Sequence, residues 1–564
     1  MKSKIMSFYF RKIELTLTTL LIIVALLIFP KNATGAPDIP HLNKKGNATQ
    51  LIVNGKPFIM LAGEIHNSSS STLEYMQKIW PKIKGFNVNT VLLAICWEQF
   101  EPQEGKFDYT LVDGLIKQAR ENDVKLVFLW FASWKNGLSG YAPEWVKKDT
   151  KRFPLCKDDK GRTVNWNVLS PLGNNTRDAD AKAFAALMKR IKEIDSDQQT
   201  VIMVQIENEV GIRFQPRDMS EIANKTYNSA VPKELMDYLT KNKKNLHPAI
   251  LKQWEKGGFK TNGTWPEIFG GFWEADEIFS AWHYAKYVQA IAVAGKKEYS
   301  IPMYVNAWLP DWNAHLYNWP CGGPVPNMLD IWRAGAPDVD CLSPDIYLPF
   351  FKELCEEYTR NGNALVIPEA QRAEDAPSRA YWAIGKHNAL CFAPFGMESM
   401  PADHPIKDAY SLLNQAMPLI TDAQGTGRMT ALYRQDKEKE KRDTIIPLGN
   451  WNLHVRYVET GLPQGAKPGA LIIQSAENEF YLMGLGVEIG FKPQSTKGPQ
   501  NVDILTAEAG RFENGVFVPL LQLNGDEIRA HDTPFYRTRL PATGRNEFFD
   551  QTKLILRVRI FMYE

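Results

Sequence analysis

From about residue 50 to residue 420, short apolar runs alternate with segments whose apolar residues recur every three or four positions. Runs of the first kind read as buried parallel strands, and the periodic segments read as the helices that cover them. The strand pattern falls at Phe58–Gly63, Val88–Ile95, Val124–Phe131, Val201–Ile206, Pro302–Trp308, Val339–Tyr347, Ala364–Glu369 and Leu390–Phe395. Helical periodicity lies between them, for example at Thr72–Trp80, Tyr109–Asn122 and Ala179–Ile194, the last carrying Ala181, Phe184, Leu187, Met188 and Ile191 on one face. Eight strands alternating with helices predict an α/β fold, a closed (β/α)8 TIM barrel spanning 36–425. Residues 212–270 interrupt the alternation and read as a loop or lid above the barrel.

Beyond Arg428 the pattern changes. Short runs rich in Val, Ile, Tyr and Phe, punctuated by Gly, Pro and Asn, recur from Leu453 to Phe561. They predict a smaller all-β domain, a β-sandwich, over 426–564. The charged run Lys437–Arg442 reads as a solvated linker.

Two predicted strands end abruptly in carboxylates. VIMVQIENEVG (Val201–Gly211) runs into Glu207, Asn208 and Glu209, and ALVIPE runs into Glu369. In a barrel of this kind the C-terminal strand ends carry the site, so these are the places for catalytic acids. Two carboxylates on non-adjacent strands are the equipment of a glycosidase. Strand alternation puts Glu207 and Glu209 on one face, so periodicity does not choose between them.

The first 35 residues differ from the rest. Lys2, Lys4, Arg11 and Lys12 precede the apolar run Leu15–Phe29, and Ala33-Thr34-Gly35-Ala36 supplies small residues for cleavage. This is a signal peptide's layout, shorter than the roughly 20 apolar residues of a membrane span, and it predicts export to the periplasm or cell exterior without stable membrane insertion. Removing it leaves 61 basic against 63 acidic residues, a balance that does not suit a nucleic-acid binder. The 16 Trp and 20 Tyr instead suit a carbohydrate partner, whose apolar faces stack on aromatic planes. The six cysteines are scattered without a CxxC pair, so neither a metal site nor a disulfide framework is indicated, although a disulfide or two is compatible with export.

The segments LIVNGKPFIMLAGEIHN, WEQFEPQEGKFDY, VQIENEVG, MYVNAWLP, LSPDIY, VIPEA and FAPFGME occur in this order from residue 51 to about 400. In that order they resemble the family 35 β-galactosidases of glycoside hydrolase clan A, in the bacterial branch with an additional C-terminal β-domain. WEQFEPQEG is also similar to the family 42 β-galactosidases. The resemblance implies a retaining exo-β-glycosidase that needs no cofactor and removes terminal β-galactosyl residues from oligo- or polysaccharides. It implies Glu209 as general acid and base and Glu369 as nucleophile, since clan members place the acid directly after an Asn. Asn208 is then expected to bind the sugar's 2-hydroxyl and Tyr347 to hold the nucleophile. Asn306, Trp308, Trp97, Glu98, His66, Trp130 and Trp134, all near strand ends, are candidates for substrate contact. One departure bears on sugar selectivity: many members carry a galactose-binding glutamate after the third strand, where this chain has Lys135 and Asn136.

Overall fold

The computed structural model describes residues 39–164, 167–311, 317–523, 537–540 and 553–564, so the expected signal peptide lies outside the described residues. Three antiparallel strands open the fold: β1 (His41–Lys45), β2 (Ala48–Val53) and β3 (Lys56–Phe58). The strand reading missed them because they precede the helical alternation and are short. Leu51 and Val53 of β2 pack with Met60, Ile202 and Leu390, so this small sheet plugs the end of the barrel opposite the strand tips.

The barrel itself is closed by eight parallel strands: β4 (Met60–Glu64), β5 (Thr90–Cys96), β6 (Lys125–Lys135), β7 (Val201–Asn208), β8 (Met303–Trp308), β9 (Cys341–Ile346), β10 (Val366–Ala370) and β11 (Cys391–Pro394). Each pairs with its neighbour in sequence, and β11 closes on β4 through Cys391↔Met60 and Phe392↔Leu61. The near-continuous apolar runs are explained by burial on both faces. Alternate residues such as Val127, Leu129 and Phe131 fill the barrel, while Leu126, Phe128 and Trp130 face the helices.

The covering helices Asn174–Asp195 and Trp273–Glu298 approach each other closely at Gly295, where a Cβ would sit 2.3 Å from the Phe184 ring. The excursion at 212–270 is more regular than a loop. It carries helices Glu221–Tyr227, Lys233–Asn242, Pro248–Lys256 and Trp265–Phe269, the last opened by a Thr264/Glu267 capping box.

Antiparallel strands follow the barrel, as expected. One sheet has the order β12 (Met429–Tyr433), β15 (Gly469–Ala476), β16 (Glu479–Leu485), β21 (Ile555–Tyr563), β18 (Asn501–Glu513), β19 (Val516–Leu523). The other has the order β13 (Asp443–Leu448), β14 (Trp451–Tyr457), β17 (Val487–Pro493), β20 (Arg537–Leu540). Leu432, Ile472, Leu482 and Val558 from the first meet Trp451, Leu453, Ile489 and Phe491 from the second in one apolar core. The six-stranded sheet's other face, through Ala431, Tyr433 and Leu471, joins the main core against helix Ala376–His387. Tyr433 also donates to Asp375 at 2.7 Å, which Arg379 holds at 2.9 Å. All six cysteines are buried free thiols, so the disulfides that export would permit are not formed.

Candidate active site

At the C-terminal end of the barrel, β7 delivers Glu209 and β10 delivers Glu369. Plain alternation does not place the first of them. Trp130 of β6 pairs with Ile206 of β7, but the next pair is Lys135 with Asn208, so β6 bulges against its neighbour. Glu207 and Glu209 both adopt positive φ, 59° and 45°, a conformation uncommon outside glycine and concentrated at functional sites. The expectation that the two acids share a face is therefore corrected. Glu207 turns between β6 and helix Asn174–Asp195, accepting the Ser133 and Trp134 N–H groups at 3.2 and 2.8 Å. Burial first, and then the neighbouring Asp180 carboxyl, push its pKa well up, so this hydrogen-bonded pair keeps a proton. Only Glu209 stays in the barrel mouth.

There one carboxyl oxygen each of Glu209, Asp345 and Glu369 lie within 4.8 Å of one another. Tyr347 donates its hydroxyl to Glu369 Oε2 at 2.6 Å, the Asn208 amide reaches Oε1 at 3.4 Å, and the Lys135 ammonium lies 3.9 Å from the same oxygen. Lys135 also donates to Asn208 Oδ1 at 2.8 Å, which orients that amide with its N–H toward Glu369. Asn306 accepts the Glu209 backbone N–H at 2.9 Å and donates to Asp345 at 2.8 Å, so it fixes the strained turn that presents Glu209.

Four acids and one lysine share this buried space, and their titrations are coupled. The Glu209 pKa is pushed up to about 7, by burial and then by the negative charge of Glu369, against the opposing pull of Lys135. Asp345 and Glu64 are held well above the ordinary carboxylate range, again by burial first and Glu369 second. Burial works against the Lys135 charge, but Glu369, Glu209, Glu64 and Asp345 outweigh it and raise its pKa. Glu209, Asp345 and Glu369 are close enough to hold a metal ion. The Lys135 ammonium already supplies a cation from within the chain.

The structure thus brings Glu209, Glu369, Asn208, Tyr347 and Asn306 together. Trp308 stands at the edge of the group, its ring 4.8 Å from the Arg213 guanidinium, whose charge is felt by Glu209. His66 lies at the rim after β4, its ring against Ser399 Oγ at 3.0 Å and edge-on to Phe395. Three candidates, Trp97, Trp130 and Trp134, are corrected. Trp97 is buried, its indole N–H donating to Glu101 at 2.8 Å, a carboxylate that also caps the turn at Gly105. Glu98 is exposed and ion-pairs with Lys147 at 2.9 Å. Trp130 and Trp134 fall on the helix-facing side of β6, donating to Asp180 and to the Leu169 carbonyl at 2.8 and 3.1 Å. Asn306 lies in the group, its amide oxygen accepting the Glu209 N–H and its NH₂ donating to Asp345.

Sequence reasoning passed over Lys135, Glu64 and Asp345. The last two carried the signal that had singled out Glu369: MLAGE and CLSPDI are apolar strands ending in, or one residue past, an acid. Lys135 had no such signal, because the apolar run reads as ending at Phe131 whereas β6 continues four residues further across the bulge.

Comparison with known proteins bears on this arrangement. Residues 67–255 match the family model described as Beta-galactosidase, glycoside hydrolase family 42, and residues 406–532 match one described as a domain of unknown function. The first match includes Glu209 and stops short of Glu369. A Beta-galactosidase of Xanthomonas manihotis is 26% identical over 203 residues, 35% of this chain and 30% of that protein. Beta-galactosidase 14 of Arabidopsis thaliana is 24% identical over 212 residues, 35% of this chain and 22% of its own length. The chain therefore spans less than a third of either relative. The crystal structure of β-galactosidase from Bacillus circulans sp. alkalophilus aligns at 14% identity and a TM-score of 0.44, covering 65% of this chain and 57% of that one. Residues 67–255, the first half of the barrel, are β-galactosidase-like in sequence.

Proposed function

We propose that this chain is an exported, retaining exo-β-galactosidase related to glycoside hydrolase family 35, cleaving terminal β-galactosyl residues from oligo- or polysaccharides. The observation that carries the reading is the Glu209/Glu369 pair at the barrel mouth. Their close oxygens suit the roughly 5–5.5 Å spacing of retaining enzymes better than the roughly 6.5–9.5 Å of inverting ones, which must admit a water between the carboxyl groups. The two acids are also differently equipped. Glu209, with a pKa near 7, holds a proton to give to the leaving oxygen. Glu369, with Tyr347, Asn208 and Lys135 directed at its oxygens, is arranged to attack as a carboxylate.

In the first step Glu369 bonds to the anomeric carbon as the glycosidic bond breaks, and the Glu209 proton goes to the departing oxygen. In the second, Glu209 takes a proton from water, the water oxygen bonds to the anomeric carbon, and Glu369 is released. β-Galactosidase names among the relatives support galactose as the sugar. Lys135 in place of the family's galactose-binding glutamate favours a second reading, the same mechanism with another sugar.

The test is hydrolysis of 4-nitrophenyl β-D-galactoside by the purified protein, beside its gluco, xylo, fuco and α-L-arabino analogues and the Glu369→Gly variant. Turnover led by galactoside and lost in the variant is expected. Turnover led by another glycoside replaces the sugar, and silence on all of them and on β-galactosyl-terminated oligosaccharides sinks the hydrolase reading.

A further inference from the structure

On the excursion after β7 lies a cavity of about 750 Å³, walled by the end of helix Lys233–Asn242, the turn Lys243–Asn245 and helix Pro248–Lys256. None of its lining residues belongs to the catalytic mouth. Its charge is one-sided. Lys241, Lys243, Lys244 and Lys252 line it against a single acid, Glu255, a net charge of +3 in a chain whose 66 basic and 64 acidic residues nearly balance. Other lysines on exposed helix faces meet carboxylates, as Lys148 meets Glu144, Lys233 meets Asp237 and Lys286 meets Glu234. None of these four forms an ion pair with a carboxylate among the described residues.

A lysine at the C-terminal end of a helix answers the negative pole there, which accounts for Lys241 and Lys243. It does not account for Lys252, which comes from the middle of the next helix and lines the same cavity. Like charges gathered around a concavity focus their field into it, so this one favours an anion. The walls narrow the choice. The space far exceeds a single inorganic anion and falls within the roughly 300–1,000 Å³ of ligand sites. Pro248 and Leu251 offer apolar surface and Asn245 an amide, a pairing that suits the C–H faces and hydroxyls of pyranose rings. The Phe259 ring carries the Lys243 ammonium at 3.4 Å from its centre, so that plane is not presented to a nucleobase. No large apolar side chain of the lining stands out into solvent, as a helix lying on a bilayer needs.

Resting on the glycosidase reading for the choice of a glycan, we infer that this cavity is a second carbohydrate site, apart from the catalytic mouth, which binds an acidic polysaccharide by its carboxylates. The β7 excursion then holds the protein on a polyuronate chain while the barrel mouth works elsewhere on the glycan.

The test is binding of polygalacturonate to the whole purified protein by titration calorimetry in about 50 mM NaCl, beside neutral galactan, a DNA duplex and vesicles of anionic phospholipid. Wild-type binding is expected to weaken as salt rises, and to fall about tenfold in a Lys241→Gln, Lys244→Gln, Lys252→Gln triple variant whose melting curve is unaltered. The single change Lys252→Glu should weaken it in the same direction. Lys243 stays in place because its ammonium packs on Phe259 and Trp254. Both variants should keep the wild-type kcat/KM on 4-nitrophenyl β-D-galactoside. No binding by the wild type, undiminished binding by both folded variants, or equal binding of DNA, vesicles or neutral galactan overturns the site. Hydrolysis of the aryl galactoside without polyuronate binding overturns the site alone and leaves the hydrolase reading standing. Salt-sensitive, lysine-dependent binding by a protein silent on every glycoside supports the site and overturns that reading instead.

Discussion

Replacing Lys135 by methionine keeps most of the side chain's apolar stem and removes the ammonium described within 4 Å of Glu369. Nζ and Oε1 are 3.9 Å apart, and both side chains are nearly fully buried. At an effective dielectric of about 20 that separation corresponds to an attraction of about 4 kcal/mol, or up to about three units in the pH at which the carboxylate cluster ionises. Protons on Glu64 and Asp345 can rearrange to absorb part of the change, so a displacement of about one to three units is the expected result. The sign is fixed by the chemistry. A cation favours the deprotonated form of every neighbouring carboxyl, so its loss makes each harder to ionise. The alkaline limb of the kcat/KM profile, set by Glu209 at about 7 in the wild type, moves to higher pH because Lys135 lowers that pKa. Profiles measured from about pH 4 to 10 on the best aryl glycoside read that limb. Lys135→Arg, which restores the charge, should return the bell toward its original place. A bell that stays put in Lys135→Met while kcat/KM falls evenly at every pH would refute the counter-ion reasoning and leave Lys135 as packing.

Glu369→Gly removes the nucleophile and should lower kcat by at least about 10⁴-fold with the fold retained, as judged by its melting curve. Glu209→Ala should slow substrates with poor leaving groups about 10²–10⁴-fold more than those with good ones, since only the former need the proton; equal losses across a leaving-group series would remove Glu209 from that role. Tyr347→Phe deletes a hydrogen bond to a carboxylate worth about 1.5–3 kcal/mol, and kcat should drop roughly ten- to hundredfold with little change in stability. Trp134→Ala, on the helix-facing side of β6, should instead cost about 3–5 kcal/mol of stability through the lost contacts with Tyr284 and Tyr287; a kcat loss per folded molecule larger than that of Tyr347→Phe would contradict its placement.

Much of the architecture was legible in the residues, because burial on both faces writes a parallel strand as an unbroken apolar run. β4 through β11 were each visible in this way, and so were most of the later antiparallel strands. The same signal found Glu369, a single acid at the end of such a run. It was also present at Glu64 and Asp345, which went unused because nothing in a linear pattern says that four strand ends converge.

Three matters were decided only by the folded chain. Strand alternation assigns faces as long as the register is regular, and the bulge at Lys135 with the positive φ angles of Glu207 and Glu209 breaks that regularity where the chemistry sits. Consequently one acid leaves the barrel, its neighbour but one stays, and a lysine beyond the apparent end of its strand enters. Trp130 and Trp134 sit in a sequence that suits a sugar platform, yet a strand residue faces either the barrel or the helices, and theirs is the helix side. The charges in the mouth are a sum over four strands and β6, each pKa set by burial and by partners distant in sequence. Residue order determined the barrel and, through a resemblance, pointed to Glu209 and Glu369; the raised pKa of Glu209 and the groups that hold Glu369 follow from packing alone.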